Sequence, residues 1–504
     1  PSDQISRMKG IGDSAAKKIQ EILETGKLQM LEDLLQKTPE GILEMMQIKG
    51  LGPKKIASIW KEMEIESLGE LLYACNENRL MRYKGFGEKT QANVKEAIEF
   101  YFKHQGSHLF AEVEAYAKAM DQLLHATFPS FHFAAAGPYY RQLPVIDHLE
   151  WISNADAGNL KAFFEKHNYQ CKEEAPETLV FTGAENIPLH FFLAESETAI
   201  AKLQFEHSAS EAFLKACIDN PNWSKTSEAK STDEIFSLLG SQPLPAYLRE
   251  NPDRLSQNEI PTCIQPADIK GIIHSHSDWS DGLYNIEEMA KACMERQLEY
   301  LVISDHSKSA FYANGLNEER IKAQHQYIDE LNEKYAPFRI FKSIECDILN
   351  DGSLDYTDKV LASFDLVIAS VHSNLKMTEE KAMMRLLKAI ENPYTFILGH
   401  MTGRLLLSRP GYPVNHHTII DACAEHKVVI ELNAHPRRLD IDWSHIEYAR
   451  EKGVLISIDP DAHAIEGYDD CRYGVLVAQK AGLTAAANLS SFSREALTAF
   501  IAQR

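Results

Sequence analysis

The stretch Gly271–Gly282, GIIHSHSDWSDG, decides the fold of the second half of the chain. A short apolar run leads into His274 and His276, and Asp281 follows five residues later. Because side chains alternate along a strand, the two histidines are expected on the same side of a buried strand tip. Neutral imidazoles with a carboxylate close behind are typical of metal sites. One such motif is weak evidence alone, but the pattern recurs downstream.

Strand-like apolar runs alternate with amphipathic helical stretches through the rest of this half. We expect helices over residues 285–296, 317–334, 379–390, 415–426 and 442–452. Before this half, we also expect a helix over residues 205–217. The seven apolar runs end near His276, His306, Glu345, His372, His400, Asn433 and His463. Seven strand–helix alternations predict parallel strands that close into a (β/α)7 barrel. In such barrels the chemistry lies at the C-terminal ends of the strands.

Metal-binding side chains collect at these predicted strand ends. The candidates are His274, His276, Asp281, His306, Glu345, His372, His400, Asp461 and His463. Their position at one end of the barrel predicts a metal centre. Mixed nitrogen and oxygen donors favour Zn, Mn or Fe over Mg or Ca. Lys308 and Arg404 follow two of the candidates and can contact a substrate phosphate, although surface ion pairs explain them equally well.

The first 104 residues have a different character, with short helices joined by tight turns. Three turns share one pattern: Lys9-Gly10-Ile11-Gly12, Lys49-Gly50-Leu51-Gly52 and Lys84-Gly85-Phe86-Gly87. Glycines let the backbone approach a ligand closely, and the following helix N-terminus favours phosphate. Repetition of the pattern predicts DNA-backbone binding over ordinary helix–helix turns. The predicted DNA contacts are Gly10, Gly12, Gly50, Gly52, Lys54, Lys55, Gly85, Gly87 and Lys89.

Composition indicates a soluble protein of more than one domain. The chain has 504 residues, of which 44% are hydrophobic and 25% charged. No apolar run is long enough for a membrane span, no secretion signal is visible, and the eight cysteines are scattered, so we expect a cytoplasmic protein with reduced thiols. The net charge is −21, but residues 1–104 hold 16 basic and 16 acidic residues. A neutral head on an acidic body allows local, salt-sensitive DNA contact.

Together these motifs resemble a bacterial family X DNA polymerase with a C-terminal PHP (polymerase and histidinol phosphatase) domain. The resemblance rests on KGLGPKKIASIW, KGFGEKTQANV, LPAYLREN, HSHSDWSDG, SDHS, SIECDI, SVHS, GHMTGR and DAH, and it covers nearly the whole chain. It implies a multidomain fold with an α-helical N-terminal region, an α+β middle and the α/β barrel. The implied domains are a partial small helix-hairpin-helix domain (1–26), a helix-hairpin-helix fingers-like region (27–104), a degenerate palm (105–190), a degenerate thumb (191–240), a connector (241–268) and a PHP phosphoesterase domain (269–504).

The resemblance also implies how the candidate ligands hold three divalent ions. His274, His276, Glu345 and Asp461 would hold the first ion. Glu345 would bridge to a second, which His372 and His400 complete. Asp281, His306 and His463 would hold the third.

The predicted palm departs from the family pattern where a polymerase needs its carboxylates. His148 and Glu150 stand at the paired aspartates, and Pro188 or Leu189 stands at the third. Gly137-Pro138-Tyr139 replaces the glycine-serine-arginine turn that grips the triphosphate. Because nucleotidyl transfer needs acidic residues around two divalent ions, we predict that polymerase activity is lost. Lys18 stands where the family can carry a lyase lysine, but a solvated helix lysine is the simpler interpretation.

These features predict a metal-dependent phosphodiesterase acting on DNA in repair, as a 3′–5′ exonuclease, an abasic-site endonuclease or both. Two alternatives remain open from the sequence. One is a PHP-type phosphatase of a small molecule such as histidinol phosphate, and the other is a non-catalytic DNA-binding scaffold. The complete ligand set argues against the scaffold, and the hairpins favour DNA over a free metabolite.

Overall fold

The N-terminal region is helical. A computed structural model describes residues 13–48, 50–102, 106–257 and 259–503 of the chain, and the predicted turn with Gly10 and Gly12 lies outside them. The helices are α1 (Asp13–Thr25), α2 (Gln29–Lys37), α3 (Glu40–Met45), α4 (Pro53–Lys61), α5 (Leu68–Asn76), α6 (Arg79–Arg82) and α7 (Glu88–Phe102). Helices α3–α7 share one apolar cluster that includes Ile56, Leu72 and Ile98.

A mixed sheet forms the middle of the chain. Its elements are β1 (His108–Leu109), α8 (Phe110–Thr127), β2 (Phe133–Ala136), α9 (Gly137–Tyr140), β3 (Val145–Ile146), β4 (Leu149–Ser153), α10 (Ala157–Lys166), β5 (Gln170–Ala175), β6 (Thr178–Thr182) and β7 (Pro188–Leu193). The five-stranded sheet has the order β2-β4-β7-β6-β5, with β4 and β7 parallel and the other pairs antiparallel. Strands β1 and β3 pair separately.

Three helices follow the sheet: α11 (Glu197–His207), α12 (Glu211–Ile218) and α13 (Thr232–Leu239). The sequence predicts one helix over residues 205–217, and this prediction is wrong. The chain leaves the helix after His207, and the Ser210 hydroxyl accepts a hydrogen bond from the backbone N–H of Phe213 to begin α12. Serine is strongly preferred as the residue that caps a helix N-terminus, and apolar periodicity does not detect such a cap. The periodicity alone therefore does not predict the break between α11 and α12.

Seven parallel strands form the second half of the chain. The elements are β8 (Gly271–Ile272), α14 (Ile286–Glu295), β9 (Tyr300–Ile303), α15 (Glu318–Tyr335), β10 (Arg339–Asp347), α16 (Asp358–Leu361), β11 (Leu366–Ser370), α17 (Glu379–Ile390), β12 (Ile397–Leu398), α18 (His416–His426), β13 (Val429–Asn433), α19 (Ile446–Glu451), β14 (Ile456–Asp459), α20 (Cys471–Lys480) and α21 (Arg494–Ile501). Neighbours in the sheet follow chain order from β8 to β14.

The first and last strands of this sheet approach each other beyond their regular ends. The backbone N–H of His276 donates to Ala462 O at 2.9 Å, and Ser275 and Ala462 form a parallel bridge. The strands therefore curl into a nearly closed barrel, and the predicted (β/α)7 fold is confirmed. The domain boundaries assigned from the sequence stay predictions.

Short 3₁₀ helices join several of these elements. They span Trp223–Glu228, Ala246–Leu248, Pro252–Ser256, Pro266–Asp268, Phe311–Ala313, Trp443–His445, Ile465–Asp470, Ala485–Ala487 and Leu489–Ser491. None of the helices described here is long and apolar enough to cross a membrane.

Candidate metal centre

The nine candidate ligands meet at the C-terminal end of the barrel strands. Three groups have ligand atoms within 4.8 Å of one another: His274, His276, Glu345 and Asp461; His276, Asp281, His306 and His463; and His306, Glu345 and His372. The ninth residue, His400, places Nε2 2.9 Å from Glu345 Oε1. The first group coincides with the one that the resemblance implies. The other two groups differ from the implied ones, because His276 and His306 each belong to two groups in the structure.

Glu345 lies at the centre of this cluster. Its carboxylate is 3.0 Å from both His306 Nδ1 and His372 Nε2. Burial alone would raise the pKa of Glu345, but positive charge on His372, His274 and His306 holds that pKa well below its ordinary value. The carboxylate therefore stays ionised and available to a cation.

Unpaired buried atoms test whether the residues present fit metal ions. Within the described chain, seven of the nine candidates carry a buried nitrogen or oxygen that makes no hydrogen bond of normal geometry, even where a carboxylate is close: His274 Nε2, His276 Nδ1, Asp281 Oδ2, His306 Nδ1, Glu345 Oε2, His400 Nδ1 and His463 Nε2. Such atoms are costly to bury unless something else satisfies them. Imidazole nitrogens with carboxylate oxygens suit a transition-metal ion, so the donor set fits.

Several imidazoles are oriented by a hydrogen bond on the nitrogen that faces away from the cluster. His274 Nδ1 contacts Glu431 Oε1, and His372 Nδ1 lies 2.5 Å from Asp347 Oδ1. His463 Nδ1 lies 3.1 Å from the Asp461 carbonyl, which can only accept. With Nδ1 acting as donor, the Nε2 atom of each ring is left as a lone-pair donor to a metal.

Sequence analysis missed Glu431 and Asp347. Glu431 also accepts a hydrogen bond from the backbone N–H of His400, so it supports two candidate ligands. A carboxylate inside the apolar run 428–432 was the available signal, because an unpaired charge is rarely buried in a strand.

The helical N-terminal region docks onto the loop that carries Asp281. Asn78 Nδ2 donates to Asp281 O at 3.3 Å. Arg82, one turn later on α6, donates to Ser280 O at 2.6 Å and to Gly282 O at 3.3 Å. The loop of one candidate ligand is thus held by residues about 200 positions earlier in the chain.

Tyr73 makes a second contact between the N-terminal region and the candidate metal centre. Its hydroxyl donates to Asp461 Oδ2 at 3.2 Å and accepts from Arg438 Nε at 2.7 Å. Tyr73 is only 3% exposed, and its ring packs edge-on against His435. Helix α5 therefore supplies a side chain that orients one of the candidate carboxylates.

A cavity of about 970 Å³ lies between the N-terminal region and the barrel end. The N-terminal side contributes Trp60, Tyr73 and Arg79, and the barrel side contributes His306 and His372. Its volume is within the range typical of small-molecule sites. A drug-sized molecule bound in the cavity can therefore contact His306 and His372, two of the candidate metal ligands.

Lys308 and Arg404 occupy ion pairs and do not line this cavity in the described chain. Lys308 Nζ lies 2.8 Å from Glu318. Arg404 pairs with Asp442 at 2.6 Å and donates to the backbone carbonyls of Arg438 and Leu439. Their predicted phosphate contacts stay predictions, and the ion-pair interpretation accounts for the contacts that they make.

The two described hairpin turns have the geometry that the sequence predicts. Gly50 and Gly85 have φ of +97° and +92°, and neither has an atom within 4 Å of an added Cβ. The same open space surrounds Gly52 and Gly87. The intervening Leu51 and Phe86 are buried, whereas Lys54 and Lys89 are exposed. Lys55 Nζ lies 5.7 Å from the Phe86 ring, so the two turns adjoin.

Comparisons with known proteins agree with this architecture. Residues 42–99 match the family model described as a SAM-like helix-hairpin-helix tandem. The DNA polymerase/3′-5′ exonuclease PolX of Bacillus subtilis (strain 168) is 32% identical over 498 residues, which cover 95% of this chain and 87% of the relative. The chain belongs to the bacterial family X DNA polymerases that carry a PHP domain.

A second set of relatives matches a smaller part of this family X chain. A probable phosphatase of Caldanaerobacter subterraneus subsp. tengcongensis is 28% identical over 205 residues, 38% of this chain and 74% of that protein. A probable phosphatase of Thermoanaerobacter sp. (strain X514) is 27% identical over 225 residues, 42% of this chain and 86% of that protein. Phosphatase relatives and the metal-ligand cluster together identify a phosphoesterase-type hydrolase.

The palm positions of this family X chain carry hydrogen-bonded side chains. His148 and His207 both contact the Glu150 carboxylate, the latter from Nδ1 at 2.9 Å, and His190 stacks on His148. Burial alone would raise the pKa of Glu150, but hydrogen bonds from His148 and His207 lower it to about 2. The three metal-capable groups found in the described chain all lie in the barrel. Lys18 is exposed on α1.

Proposed function

We propose that this family X chain is a metal-dependent phosphodiesterase that acts on DNA in repair, as a 3′–5′ exonuclease, an abasic-site endonuclease or both. The observation that supports it most is the convergence of nine histidine and carboxylate side chains at one barrel end. The hairpin turns with open glycines and exposed lysines favour DNA as the substrate. The 3′-5′ exonuclease in the name of the Bacillus subtilis relative points the same way.

We infer that the nine residues hold three divalent ions, which can be Zn, Mn or Fe. His274, His276, Glu345 and Asp461 would hold one ion, Glu345, His372 and His400 a second, and Asp281, His306 and His463 a third. Bound ions would supply Lewis-acid chemistry, which lowers the pKa of water and neutralises phosphate oxygens. Glu431, Asp347 and the Asp461 carbonyl keep a proton on the Nδ1 atoms of three rings, which would leave the Nε2 atoms of those rings to hold the ions.

We further propose that polymerase activity is lost. In a polymerase palm, free carboxylates must converge on two ions. Here Glu150 is engaged by two imidazoles, and Pro188 and Leu189 offer no ligand. Tyr139 of the substituted turn stacks on Phe110 at 4.9 Å, so it is engaged in packing rather than free to contact a nucleotide. The remaining middle domains would then serve to connect the hairpins to the barrel.

One assay tests the proposal. The full chain, reconstituted with Mn²⁺, is given 3′-labelled DNA, a duplex with an abasic site, a primer–template with deoxynucleotides, and p-nitrophenyl phosphate. We expect shortening or nicking of the DNA substrates without primer extension. Hydrolysis of p-nitrophenyl phosphate alone would favour the second candidate, a PHP-type phosphatase, for which the phosphatase relatives of the barrel are the supporting observation. Primer extension would contradict the loss of polymerase activity.

The proposed setting is the cytoplasm, with DNA as the partner. None of the eight cysteines, all of which lie in the described ranges, forms a disulfide, and seven of them are buried. This agrees with the reduced thiols that the sequence predicts, because a disulfide framework of the kind found in secreted proteins would need paired cysteines.

A further inference from the structure

Arg79 of α6 is one of the charged side chains that line the cavity. Arg79 Nη1 lies 3.4 Å from one oxygen of Glu77, and Arg438 Nη2 lies 3.8 Å from the other. Both arginines and Glu77 line the cavity. Glu77 is therefore shared by two guanidinium groups. Because Arg438 also pairs with Asp461 at 3.8 Å, Arg79 is the less fully compensated of the two in the described chain.

Arg79 is held in place although its hydrogen-bonding capacity is largely unused. Its guanidinium stacks over the Tyr312 ring, with Cζ 4.3 Å from the ring centroid. In the part of the chain that the structure describes, its one hydrogen bond is the 3.4 Å contact with Glu77, and its buried Nε has no partner. The preceding residue, Asn78, anchors the turn through Asp281 O. A fixed guanidinium with unsatisfied donors is preorganised for an anion.

The cavity joins this arginine to the candidate metal centre. His306 and His372, which form one ligand group with Glu345, line the same cavity as Arg79. A phosphate ester that reaches these ligands therefore has Arg79 within the same enclosure. The planar guanidinium fork matches two phosphate oxygens, and such charge-assisted contacts are roughly twice as strong as neutral ones.

We propose that Arg79, supplied by the helix-hairpin-helix region, binds a phosphate group of the substrate next to the barrel's metal centre. The inference rests on the proposed phosphoesterase function and extends it, because it makes the N-terminal region part of the hydrolytic site. Arg438, a barrel residue that lines the same cavity, donates to the Tyr73 hydroxyl and pairs with Asp461, so its charge is compensated within the protein. The N-terminal region then has two roles, with its hairpin turns on the DNA backbone and α6 on the reacting end.

The test compares Arg79→Ala and Arg79→Lys in the full chain with Mn²⁺. The substrate is the p-nitrophenyl ester of thymidine 5′-monophosphate, and calorimetry measures the Kd of thymidine 5′-monophosphate itself. For Arg79→Ala we expect KM and Kd to rise by about 10- to 100-fold, the factor for loss of one hydrogen bond to a charged group, with kcat changed less than about threefold. Arg79→Lys keeps the charge but not the fork, so it should recover part of the loss.

The matched control is Arg472→Ala. Arg472 also links the barrel to the N-terminal half, through Glu114, but it does not line the cavity. Its KM and Kd should stay within about twofold of the wild-type values. The inference is overturned if Arg79→Ala leaves KM and Kd unchanged, if its metal content falls in step with its activity, or if Arg472→Ala has the same effect.

Failure of the proposed function can be told apart from failure of this inference. If the wild-type chain cleaves no phosphodiester, the proposed function is wrong, and calorimetry with thymidine 5′-monophosphate or orthophosphate still decides the role of Arg79. Binding that weakens in Arg79→Ala supports the inference, and equal binding by both proteins contradicts it.

Discussion

Replacement of Glu345 by glutamine is the most direct perturbation of the candidate metal centre. The carboxylate lies 2.9–3.6 Å from five imidazoles, those of His274, His276, His306, His372 and His400. Glutamine keeps the volume and removes the charge. It also leaves no anionic oxygen at the point where two of the three ligand groups meet.

The size of the effect follows from the burial of this carboxylate. Glu345 is fully buried, and removal of one partner from a buried charge cluster costs about 3–5 kcal/mol. Since about 1.4 kcal/mol corresponds to a factor of ten, metal affinity and turnover should each fall by about 10²- to 10⁴-fold. Low pH should mimic the substitution only weakly in the metal-free protein, because the imidazoles hold the pKa of Glu345 well below its ordinary value.

The assay combines metal analysis of the purified variant with hydrolysis of the p-nitrophenyl ester of thymidine 5′-monophosphate. Asp355→Asn is the matched control, because Asp355 is a buried carboxylate of the same barrel that accepts from Ser309 N–H and Oγ and belongs to no ligand group. It should bind metal normally. A Glu345→Gln protein with full metal content and wild-type kcat would refute the assignment of this residue as a shared ligand.

Three further outcomes follow from described contacts. Glu431→Gln should weaken metal binding by about 10- to 100-fold, measured by calorimetry, because His274 loses its orienting partner; unchanged affinity would contradict this role. Lys54→Ala should lower the slope of log K against log salt for duplex DNA by about 0.9, whereas Lys161→Ala on α10 should not, and equal slopes would argue against a phosphate contact. Glu150→Gln should destabilise the palm by about 3 kcal/mol at neutral pH, because the folded pKa is about 2 against 4.5 for the free group. The stabilisation by the ionised Glu150 is complete above about pH 4.5 and is lost as pH falls towards 2. The difference in melting temperature between the variant and the wild type should therefore be smaller at pH 3 than at neutral pH. A difference that does not change with pH would show that packing rather than charge is responsible.

The barrel and its candidate ligands were predictable because their signals are local. Each apolar run that ends in a residue such as His276 or His400 indicates, within ten positions, that the segment is a strand, that it is buried and where it ends. Parallel strands of a barrel then bring these ends together regardless of the length and conformation of the loops. The helix break at Ser210 was missed because capping depends on a single hydrogen bond that apolar periodicity does not register.

Contacts between distant segments could not be predicted in this way. The sequence pattern around Tyr73 is that of an ordinary core residue in an amphipathic helix. In the structure, its hydroxyl donates to Asp461, 388 positions later in the chain. Asn78 and Arg79 lie at the start of the four-residue helix α6, which is too short to show a periodic pattern. Their roles depend on how two domains pack, and nothing in local spacing encodes that packing.

The docking of α6 on the Asp281 loop has a consequence for how the halves of the chain depend on each other. The N-terminal region contacts the barrel through polar groups, which include the hydrogen bonds of α6, the Tyr73–Asp461 hydrogen bond and the Glu70–Arg409 ion pair. Polar interfaces of this kind between domains resemble those of transient complexes. Covalent linkage through the intervening segment raises the effective concentration of one half of the chain for the other, so a polar interface suffices to hold them together. The middle of the chain is itself fixed to the barrel by ion pairs such as Glu114–Arg472. A change in the length of this segment would therefore loosen a wall of the cavity without altering any residue that lines it.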